Sequence, residues 1–309
     1  MKVFVVIVTY NGEQWLRQCM QSVYASAIPL HVIVVDNNSK DNTLAILTEF
    51  RSITILQQPF NLGFGKANNI GISYAFEQNA DYVFLLNQDA YLEPNTIEKL
   101  IIINEKYREF GILSPIHYNG NGTELDHNFS NYIQKNKKFL YDAIRNDYTQ
   151  TVYNVPFVNA AGWLIHKSIF QIIGGFDPLF FHYGEDVNYC QRLVYHGFKI
   201  GFVPKCILFH DRSSREFEKE SSIKDQLVKF ERALKIKCAN INNDYKPIIA
   251  VYIKTLKRNV LKSFIFLNFK QLKFNYLKLK IVIDLEYNIK KSRSLNVKRG
   301  SHYLDLVNE

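Results

Sequence analysis

Short apolar segments alternate with amphipathic ones near the start of the chain, and this alternation constrains the fold more than any other feature of the sequence. Four apolar runs have the length and composition of buried strands: residues 3–9, 31–35, 53–57 and 83–86. Three intervening segments have a helical pattern: residues 15–23, 42–50 and 66–77. Strands and helices that alternate at this spacing form a mostly parallel sheet with helices on both faces. The sequence therefore predicts an α/β fold.

Three of the predicted strands end abruptly in polar residues. These residues are Thr9, Tyr10 and Asn11 after the first strand, Asp36, Asn37 and Asn38 after the second, and Asn87, Gln88 and Asp89 after the fourth. Asp89 alone fits ordinary turn chemistry, because aspartate commonly begins a turn. A buried carboxylate, however, needs a partner such as a bound cation, and open α/β sheets bind ligands beyond the carboxyl ends of their strands. Three converging polar groups therefore predict a ligand site at one edge of the sheet.

The two common phosphate-binding loops are missing from this edge. No Gly-x-Gly-x-x-Gly sequence follows the first strand. Gly65 and Lys66 are followed by Ala67, without the spaced upstream glycine of a P-loop. The sequence thus predicts a nucleotide-type sheet that binds its ligand by other means.

Composition divides the chain into two parts. With 47% hydrophobic and 14% aromatic residues, the 309-residue chain can form a packed core, which excludes a disordered protein. Its net charge of +9 combines a net charge of −3 over residues 1–221 with a net charge of +12 over residues 222–309. We therefore expect a main domain at residues 1–221 and a basic C-terminal region at residues 222–309.

Two further features bear on the compartment in which the protein works. No apolar run approaches the ~18 uncharged residues of a membrane span, and the apolar start of the chain lacks a signal-peptide cleavage site. Four cysteines have neither metal-binding nor redox spacing: Cys19, Cys190, Cys206 and Cys238. We therefore expect reduced thiols in a cytoplasmic protein.

Several segments carry a resemblance to a known family. The opening of family 2 glycosyltransferases with the GT-A fold resembles residues 6–12 (Val-Ile-Val-Thr-Tyr-Asn-Gly), 34–43 and 61–69 (Asn-Leu-Gly-Phe-Gly-Lys-Ala-Asn-Asn). Within the family, the chain most resembles bacterial rhamnosyltransferases and galactofuranosyltransferases of surface polysaccharide assembly, over residues 1–215. The resemblance implies a GT-A nucleotide-diphospho-sugar transferase fold with a mostly parallel central sheet, followed here by a basic helical C-terminal region. Residues 1–221 would then be the catalytic domain.

The resemblance also implies a site for a nucleoside-diphosphate sugar and a divalent metal, Mg²⁺ or Mn²⁺. Asp36 is similar to the carboxylate that accepts hydrogen bonds from the nucleotide base. Asp89 matches the metal-binding member of a triplet usually written Asp-x-Asp. Asn87 departs from that triplet and removes one negative charge, but we still assign it to the donor, where it can hydrogen-bond ribose or a metal-bound water. His210 resembles a late histidine that joins the metal, although a lone histidine is also common as a structural residue. The other residues that we assign to the donor are Thr9, Tyr10, Asn11, Asn38, Asn61, Gly63, Lys66, Gln88, Arg192 and Arg212, with Arg215 as a further candidate for the diphosphate.

A second group of candidate residues lies in the segment 174–192. Glu185 and Asp186 are adjacent acids that by themselves fit an ordinary charged helix start. By resemblance they match the catalytic pair of the family, with Asp186 as the general base. Asn188 stands where many relatives carry aspartate, which is a second departure. Arg192 is a candidate to hold either the diphosphate or the Glu185 carboxylate.

The acceptor side is less well defined. Residues 112–155 show no clean period, and we expect a β-rich excursion or loop that lines the acceptor side. Residues 158–165 resemble the family segment whose small residues let the backbone approach the sugar, with a core strand as the alternative. The residues assigned to the acceptor side are Gly162, Trp163, His182 and Tyr183. Trp163 also suits the core.

Residues 222–309 interleave basic and large apolar side chains. This pattern favours helices that lie on an anionic membrane surface. The alternative is a helical subdomain that packs on the main domain or on a second copy of the chain, with its lysines solvated. Nucleic-acid binding is not expected, because no recognised module is present.

Together these features predict an inverting, metal-dependent glycosyltransferase attached peripherally to the cytoplasmic face of the cell membrane. The expected donor is dTDP-rhamnose, and the expected acceptor is a lipid-linked saccharide. One alternative is a galactofuranosyl, galactosyl or glucosyl transferase that uses a UDP-sugar. Another, from a different class, is a sugar-nucleotide-binding scaffold without turnover, motivated by Asn87 and Asn188. Processive polymerisation is not expected, because the residues from Gln191 onward lack a Gln-x-x-Arg-Trp motif.

Overall fold

The computed structural model describes residues 1–212 and 222–305 of the chain. In chain order the elements are β1 (Val3–Thr9), α1 (Glu13–Tyr24), β2 (His31–Asp36), α2 (Thr43–Leu47), β3 (Ile53–Gln57), α3 (Phe64–Glu77), β4 (Tyr82–Asn87), β5 (Ala90–Leu92), α4 (Thr96–Lys106), β6 (Phe110–Asn119), α5 (His127–Ile133), α6 (Lys137–Arg145), β7 (Tyr153–Asn154), β8 (Gly162–His166), α7 (Lys167–Ile173), α8 (Glu185–Tyr195), β9 (Lys199–His210), α9 (Ile223–Cys238), α10 (Lys246–Ile265) and α11 (Phe269–Asn296). Strands and helices alternate from β1 to β4, which confirms the α/β class.

A sheet of nine strands lies at the centre of the described part of the chain. Its strand order is β3-β2-β1-β4-β8-β6-β9-β5, and β7 pairs with β9 outside this path. β1 is parallel to β2 and β4, β2 is parallel to β3, and β6 is parallel to β9. β8 is antiparallel to both β4 and β6, so the strands on either side of it point the same way. The prediction of a mostly parallel sheet is therefore confirmed.

The central strands form because their sequences are apolar on both faces. Every residue of β1 is buried, and so are the first five residues of β4. Alternate residues of β1 enter two hydrophobic layers, one with Leu16 and Met20 of α1 and the other with Ala67 and Ile72 of α3. Covering both faces leaves the carboxyl ends of β1, β2 and β4 as the open edge of the sheet.

The segment after β6 differs from the prediction. The prediction of a β-rich excursion or loop was wrong for much of residues 112–155, because two helices, α5 and α6, follow the strand. Asp126 caps α5 by accepting from the Phe129 N–H, and Asn136 caps α6 by accepting from the Phe139 N–H. Both phenylalanine side chains are buried in the core. Helices this short complete only about two turns, so the sequence shows no clear helical period.

Three helices form the C-terminal region and pack on one another. α10 and α11 make a helical hairpin joined by residues 266–268, and α9 lies against α11. Their shared core contains Leu234, Ile249, Leu256, Val282 and Ile289. The predicted helical character of this region is confirmed, whereas its division from a domain at residues 1–221 stays a prediction. Within the described ranges, none of the helices combines the length and apolarity of a membrane-spanning segment.

The end of α11 attaches the C-terminal helices to the main domain. Ser292 Oγ and Asn296 Nδ2 both donate to Asp177 Oδ2, at 2.5 and 2.7 Å. The Arg192 guanidinium of α8 donates to Asn296 Oδ1 at 3.4 Å. All four side chains are buried, so these contacts fix α11 against the helix that carries the candidate catalytic pair.

Candidate active site

A cleft of about 1040 Å³ lies at the carboxyl ends of the central strands. The residues that line it from the strand ends are Val8, Tyr10, Asn37, Asn87, Gln88 and Asp89. The cleft continues along Asn61 and Gly63, along residues 159–161 and along residues 181–187, which include Glu185 and Asp186. The structure thus brings the polar strand ends and the candidate catalytic pair, which are far apart in the sequence, into one cavity.

Asp36 lies beneath the floor of the cleft. Its carboxylate accepts hydrogen bonds from Thr9 Oγ1 at 3.0 Å and from the hydroxyl and N–H of Ser39 at 2.5 and 3.0 Å. The Ser39 hydroxyl also accepts from the Asn11 N–H at 3.0 Å. Asp36 and Thr9 are fully buried, so in this structure they fix the loops after β1 and β2. A contact between Asp36 and a nucleotide base stays a prediction.

Gln88 joins the loops that follow β1 and β4. Its side-chain oxygen accepts from the Tyr10 N–H at 2.9 Å, and its amide group donates to the Tyr10 carbonyl oxygen at 3.1 Å. A Cβ atom at Gly12 would lie 2.3 Å from Gln88 Oε1, so this pairing requires glycine there. The two hydrogen bonds hold the backbone of Tyr10 at the wall of the cleft.

Asp89 and His210 lie side by side. His210 Nε2 is 3.2 Å from Asp89 Oδ1, and His210 Nδ1 is 3.7 Å from Asp126 Oδ2. Arg212 Nε makes an ion pair with the same Asp126 oxygen at 2.8 Å. Asp89, His210 and Asp126 are all buried. Arg212 Nε also donates to His210 Nδ1 at 3.3 Å, so Arg212, held by Asp126, is the group that contacts the far side of the imidazole.

The donor atoms around Asp89 suit a divalent cation. Asn87 Oδ1 and His210 Nε2 are both buried, and neither makes a hydrogen bond within residues 1–212 and 222–305. A carboxylate, an amide oxygen and an imidazole nitrogen are all accepted by Mn²⁺, and Mg²⁺ bound with a phosphate substrate needs only one or two carboxylates. The described residues contain no cluster of three or more His, Cys, Asp and Glu side chains arranged for a metal. Because the protein supplies few ligands there, a cation bound beside Asp89 would have to take further ligands from a substrate.

Glu185 and Asp186 occupy the first turn of α8, directly after Gly184. Asp186 is partly exposed to the cleft, and its Oδ1 accepts from the Val187 N–H at 2.8 Å. Burial raises the pKa of Asp186 to about 6, against the opposing effect of backbone hydrogen bonds. An aspartate with this pKa is largely ionised at neutral pH and remains basic enough to accept a proton.

Glu185 has different surroundings. It is 4% exposed, and its Oε2 atom has no hydrogen-bond partner in the part of the chain that is described. Burial, and then the charge of Asp186, raise the pKa of Glu185 to about 8, although Arg232 opposes the rise. Glu185 is therefore mainly protonated at neutral pH, while its neighbour Asp186 carries the negative charge.

A second cavity of about 550 Å³ adjoins the cleft. It lies between residues 180–183 and α9, and it shares His182, Tyr183 and Arg232 with the main cleft. The Arg232 guanidinium carbon is 5.2 Å from the centroid of the Tyr183 ring, within the range of a cation–π contact. His182 and Tyr183, which the sequence assigns to the acceptor side, thus line a passage between two cavities.

Gly63 connects the third sequence motif to the wall of this passage. Its φ angle is +83°, and a Cβ atom there would lie 2.0 Å from the carbonyl oxygen of Phe181. Only glycine accepts this combination of backbone conformation and close approach. The side chain of Asn61 stabilises the same turn by accepting from the Gly63 N–H at 2.8 Å.

Three of the predicted site residues belong to the core instead. Arg192 is buried away from the cleft, where it donates to the Ile173 carbonyl oxygen at 2.8 Å and lies over the rings of Tyr189 and Tyr303. Its assignment to the donor diphosphate is therefore wrong. Gly162 and Trp163 lie in β8 and are completely covered, and the Trp163 ring stacks on Phe176. Their assignment to the acceptor side is also wrong, because side chains from both faces of the sheet pack around them.

Two other donor assignments lie at the edge of the site. Lys66 is exposed on α3 and does not line the cleft. Asn38 has a φ angle of +66° and accepts from Lys40 Nζ at 2.7 Å, which turns its side chain to the surface. Arg212 does line the cleft, whereas Arg215 lies outside the described residues.

Sequence reasoning missed several residues that line or support the cleft. Tyr132 lines it directly, Arg232 reaches it from the C-terminal region, and Asp126 pairs with Arg212. Asn159, within the predicted segment 158–165, also lines the cleft. Asn188, which the sequence analysis names as a departure from relatives, is fully buried, and its side-chain atoms make no hydrogen bond to other described residues. An N-cap pattern before a short helix is the one local signal that marks Asp126. The others reach the site through tertiary packing.

Comparisons with known proteins bear on the family and the fold of the chain. The family model described as "Glycosyl transferase family 2" matches residues 4–173. The dTDP-rhamnosyl transferase RfbF of Shigella flexneri is 26% identical over 67% of this chain and 68% of its own length. The N-acetylglucosaminyl-diphospho-decaprenol L-rhamnosyltransferase of Mycobacterium tuberculosis is 27% identical over 68% of this chain and 76% of its own length. Among solved structures, the mannosyltransferase PcManGT of Pyrobaculum calidifontis, in complex with GDP-Man and Mn²⁺, aligns over 96% of this chain and 84% of its own length, with a TM-score of 0.56 and 14% identity.

Proposed function

Because the chain belongs to glycosyl transferase family 2, we propose that it transfers a sugar, with inversion, from a nucleoside-diphosphate sugar to a hydroxyl group of a saccharide. The observation that carries this proposal is the Asp186 carboxylate, which faces the same cleft as Asn87 and Asp89 and has a pKa of about 6. Inverting transfer requires one such base and stabilisation of the departing diphosphate. It requires no protein nucleophile.

In the proposed mechanism, Asp186 accepts the proton of the attacking hydroxyl. The N-terminus of α8 favours the negative charge of Asp186 before transfer. Glu185, protonated at neutral pH, adds no second charge that would compete for that proton. Asn87, Asp89 and His210 would hold Mg²⁺ or Mn²⁺, which supplies positive charge for the departing diphosphate when it is bound. Arg212, paired with Asp126, donates to His210 Nδ1 and holds the ring with its Nε2 beside Asp89.

dTDP-rhamnose is the donor that we propose. Two relatives of the chain are named as rhamnosyltransferases, and one of these names specifies a dTDP sugar. Asp36, held beneath the cleft floor by Thr9 and Ser39, would keep the loops after β1 and β2 in the shape that receives the base. A UDP-sugar would use the same loops, so the donor has to be tested directly.

A lipid-linked saccharide is the acceptor that we propose, in the assembly of a surface polysaccharide. The name of the mycobacterial relative specifies a sugar on diphospho-decaprenol. The cavity between residues 180–183 and α9 supports an acceptor that approaches Asp186 past Tyr183 and Arg232. We place the reaction at the cytoplasmic face of the cell membrane. All four cysteines lie in the described chain, and each is free and buried there.

Calorimetric titration of the purified protein tests the donor. We expect dTDP-rhamnose to bind in the presence of Mn²⁺ and to bind much more weakly without it, whereas UDP-galactofuranose and UDP-glucose should give little heat. The His210→Ala variant should lose the effect of Mn²⁺. The Lys106→Ala variant is the control, because Lys106 is exposed on α4 and does not line the cleft.

Each other outcome changes the proposal. Binding of a UDP-sugar alone would replace dTDP-rhamnose as the donor and leave the reaction class intact. Absence of heat with every sugar nucleotide, with and without Mn²⁺, would contradict the proposed function. It would equally contradict a sugar-nucleotide-binding scaffold. Donor binding without transfer is the result that would favour that scaffold, in line with the neutral residues Asn87 and Asn188.

A further inference from the structure

The turn between α10 and α11 exposes a compact group of large apolar side chains. We call residues 264–269 the hairpin tip. Within it Phe266 is 78% exposed, Leu267 68% and Phe269 66%. Phe264 and Ile265 are also exposed. Exposed apolar groups of this density normally mark a surface that contacts a protein or a lipid.

Hydrogen bonds join the two helices behind the hairpin tip and cap the start of α11. Asn268 caps α11 by accepting from the Gln271 N–H at 3.0 Å. One turn further in, buried Asn275 of α11 donates to buried Ser263 of α10 at 3.2 Å. The helices are therefore joined just behind the tip, and this closure leaves the phenylalanines pointing away from the hairpin core.

The tip also lies at the far end of the hairpin from the main domain. α11 is attached to that domain near Ser292 and Asn296. At 1.5 Å per residue, Phe269 lies roughly 35 Å along the helix axis from this attachment. At that distance the hairpin tip can contact a lipid or protein surface without disturbing the cleft.

The charge around the tip is of one sign. Residues 246–283 contain nine lysine and arginine residues and no aspartate or glutamate. Lys262, Lys270 and Lys273 are exposed beside the tip. Lysines at this position can stay in the headgroup layer of an anionic bilayer while neighbouring aromatic side chains enter the acyl boundary.

We propose that the hairpin tip inserts into the surface of an anionic lipid bilayer and that the flanking lysines bind its headgroups. This assignment is narrower than membrane contact by the whole C-terminal region, because it places insertion at residues 264–269. A protein partner with an acidic apolar groove offers the same charge complementarity. The bilayer fits better, because the apolar side chains sit on a turn that projects outward, and a turn offers little of the flat area that a protein interface needs.

Co-sedimentation with vesicles tests this proposal without any sugar substrate. The full chain is mixed with vesicles of phosphatidylcholine alone or of phosphatidylcholine with an equal part of phosphatidylglycerol. We expect at least about tenfold stronger binding to the anionic vesicles, since each basic residue near such a surface contributes roughly fivefold. The triple variant Phe266→Ser, Leu267→Ser, Phe269→Ser should lose at least about tenfold of this binding.

Two further variants distinguish insertion of the hairpin tip from nonspecific binding by other exposed apolar side chains. The triple variant Val251→Ser, Ile283→Ser, Tyr287→Ser removes exposed apolar side chains from the same hairpin away from the tip, and it should bind like the unaltered chain. The triple variant Lys262→Gln, Lys270→Gln, Lys273→Gln should lose the preference for phosphatidylglycerol.

Three results would overturn the proposal. The first is absence of binding by the unaltered chain, and the second is equal binding by the tip variant and the Val251 control set. The third is a dimer in analytical ultracentrifugation that the tip variant dissociates, because it would assign the tip to a second copy of the chain. The proposed sugar transfer is unaffected by any of these results, since donor binding is measured separately.

Discussion

At the scale of single residues, the first turn of α8 places two carboxyl groups in different surroundings. Asp186 opens on the cleft, whereas Glu185 is buried with an oxygen that has no hydrogen-bond partner in the described chain. Both carboxyl groups have raised pKa values, but the ionised form of Glu185 is disfavoured more strongly. The pair therefore divides into one charged base and one neutral neighbour, and this division makes two predictions about pH.

The first prediction concerns the rate of transfer. Because Asp186 must be ionised to accept a proton, the turnover number should fall tenfold per pH unit below its pKa of about 6 and level off above it. The measurement is the pH dependence of turnover at saturating donor and acceptor. A rate that is constant from pH 7 down to pH 5 would exclude Asp186 as the base.

The second prediction concerns stability. The folded-state pKa of Glu185, about 8, lies above its ordinary value of 4.5, so the folded protein binds the proton more tightly than the unfolded chain does. Stability from this group is fully present below the ordinary value and is lost as pH rises toward 8. Between pH 5 and pH 7.5 the loss should be about 3 kcal/mol, at 1.36 kcal/mol per pH unit.

Urea unfolding across that pH range measures this loss. The Glu185→Gln variant should show a flatter pH dependence of the unfolding free energy than the unaltered chain. Glu105→Gln, at an exposed position on α4, is the control and should leave the slope unchanged. If the unfolding free energy has the same pH dependence in all three proteins, ionising Glu185 in the folded chain costs little free energy. That result would contradict the prediction.

At the scale of elements, the contact between α8 and α11 ties the C-terminal helices to the catalytic pair. Arg192 is buried in this contact and donates to the Ile173 carbonyl oxygen and to Asn296. Lysine cannot reproduce the planar guanidinium, and it would leave buried oxygens without a donor. This makes Arg192 a structural residue with an effect on stability.

The Arg192→Lys variant should therefore lower the free energy of unfolding by about 2–3 kcal/mol. Donor affinity should change by less than about twofold, since Arg192 does not reach the cleft. Arg17→Lys is the matched control: Arg17 is an exposed arginine paired with Glu49 and should cost less than about 1 kcal/mol. A large loss of donor affinity at unchanged stability would restore Arg192 to the donor site.

The secondary-structure elements also show how much of the fold could be predicted from the sequence. β1 and β4 were predictable because continuous apolar runs are typical of strands buried on both faces. α5 and α6 were not, since two turns carry too little periodicity and their helical form depends on caps and on burial of Phe129 and Phe139. The position of Arg192 could not be predicted from the sequence either, because its partner Asn296 lies 104 residues away.

At the scale of the whole molecule, charge and function are separated along the chain. The candidate active site lies in a part with a net charge of −3, and the hairpin tip lies in a part with a net charge of +12. An anionic surface would therefore attract one end of the molecule and repel the other, which orients the chain as well as binding it. The motifs that resemble a glycosyltransferase predict the cleft, whereas the position of the tip required the folded hairpin.

The most direct test of the whole account compares donor binding and turnover in the Asp186→Asn variant. Asparagine keeps the shape of the side chain but cannot accept the proton. We expect donor affinity, measured by calorimetry with Mn²⁺, within about twofold of the unaltered chain, and transfer to acceptor reduced at least about 100-fold. Turnover close to normal in a variant that still binds the donor would contradict the assignment of Asp186 as the catalytic base.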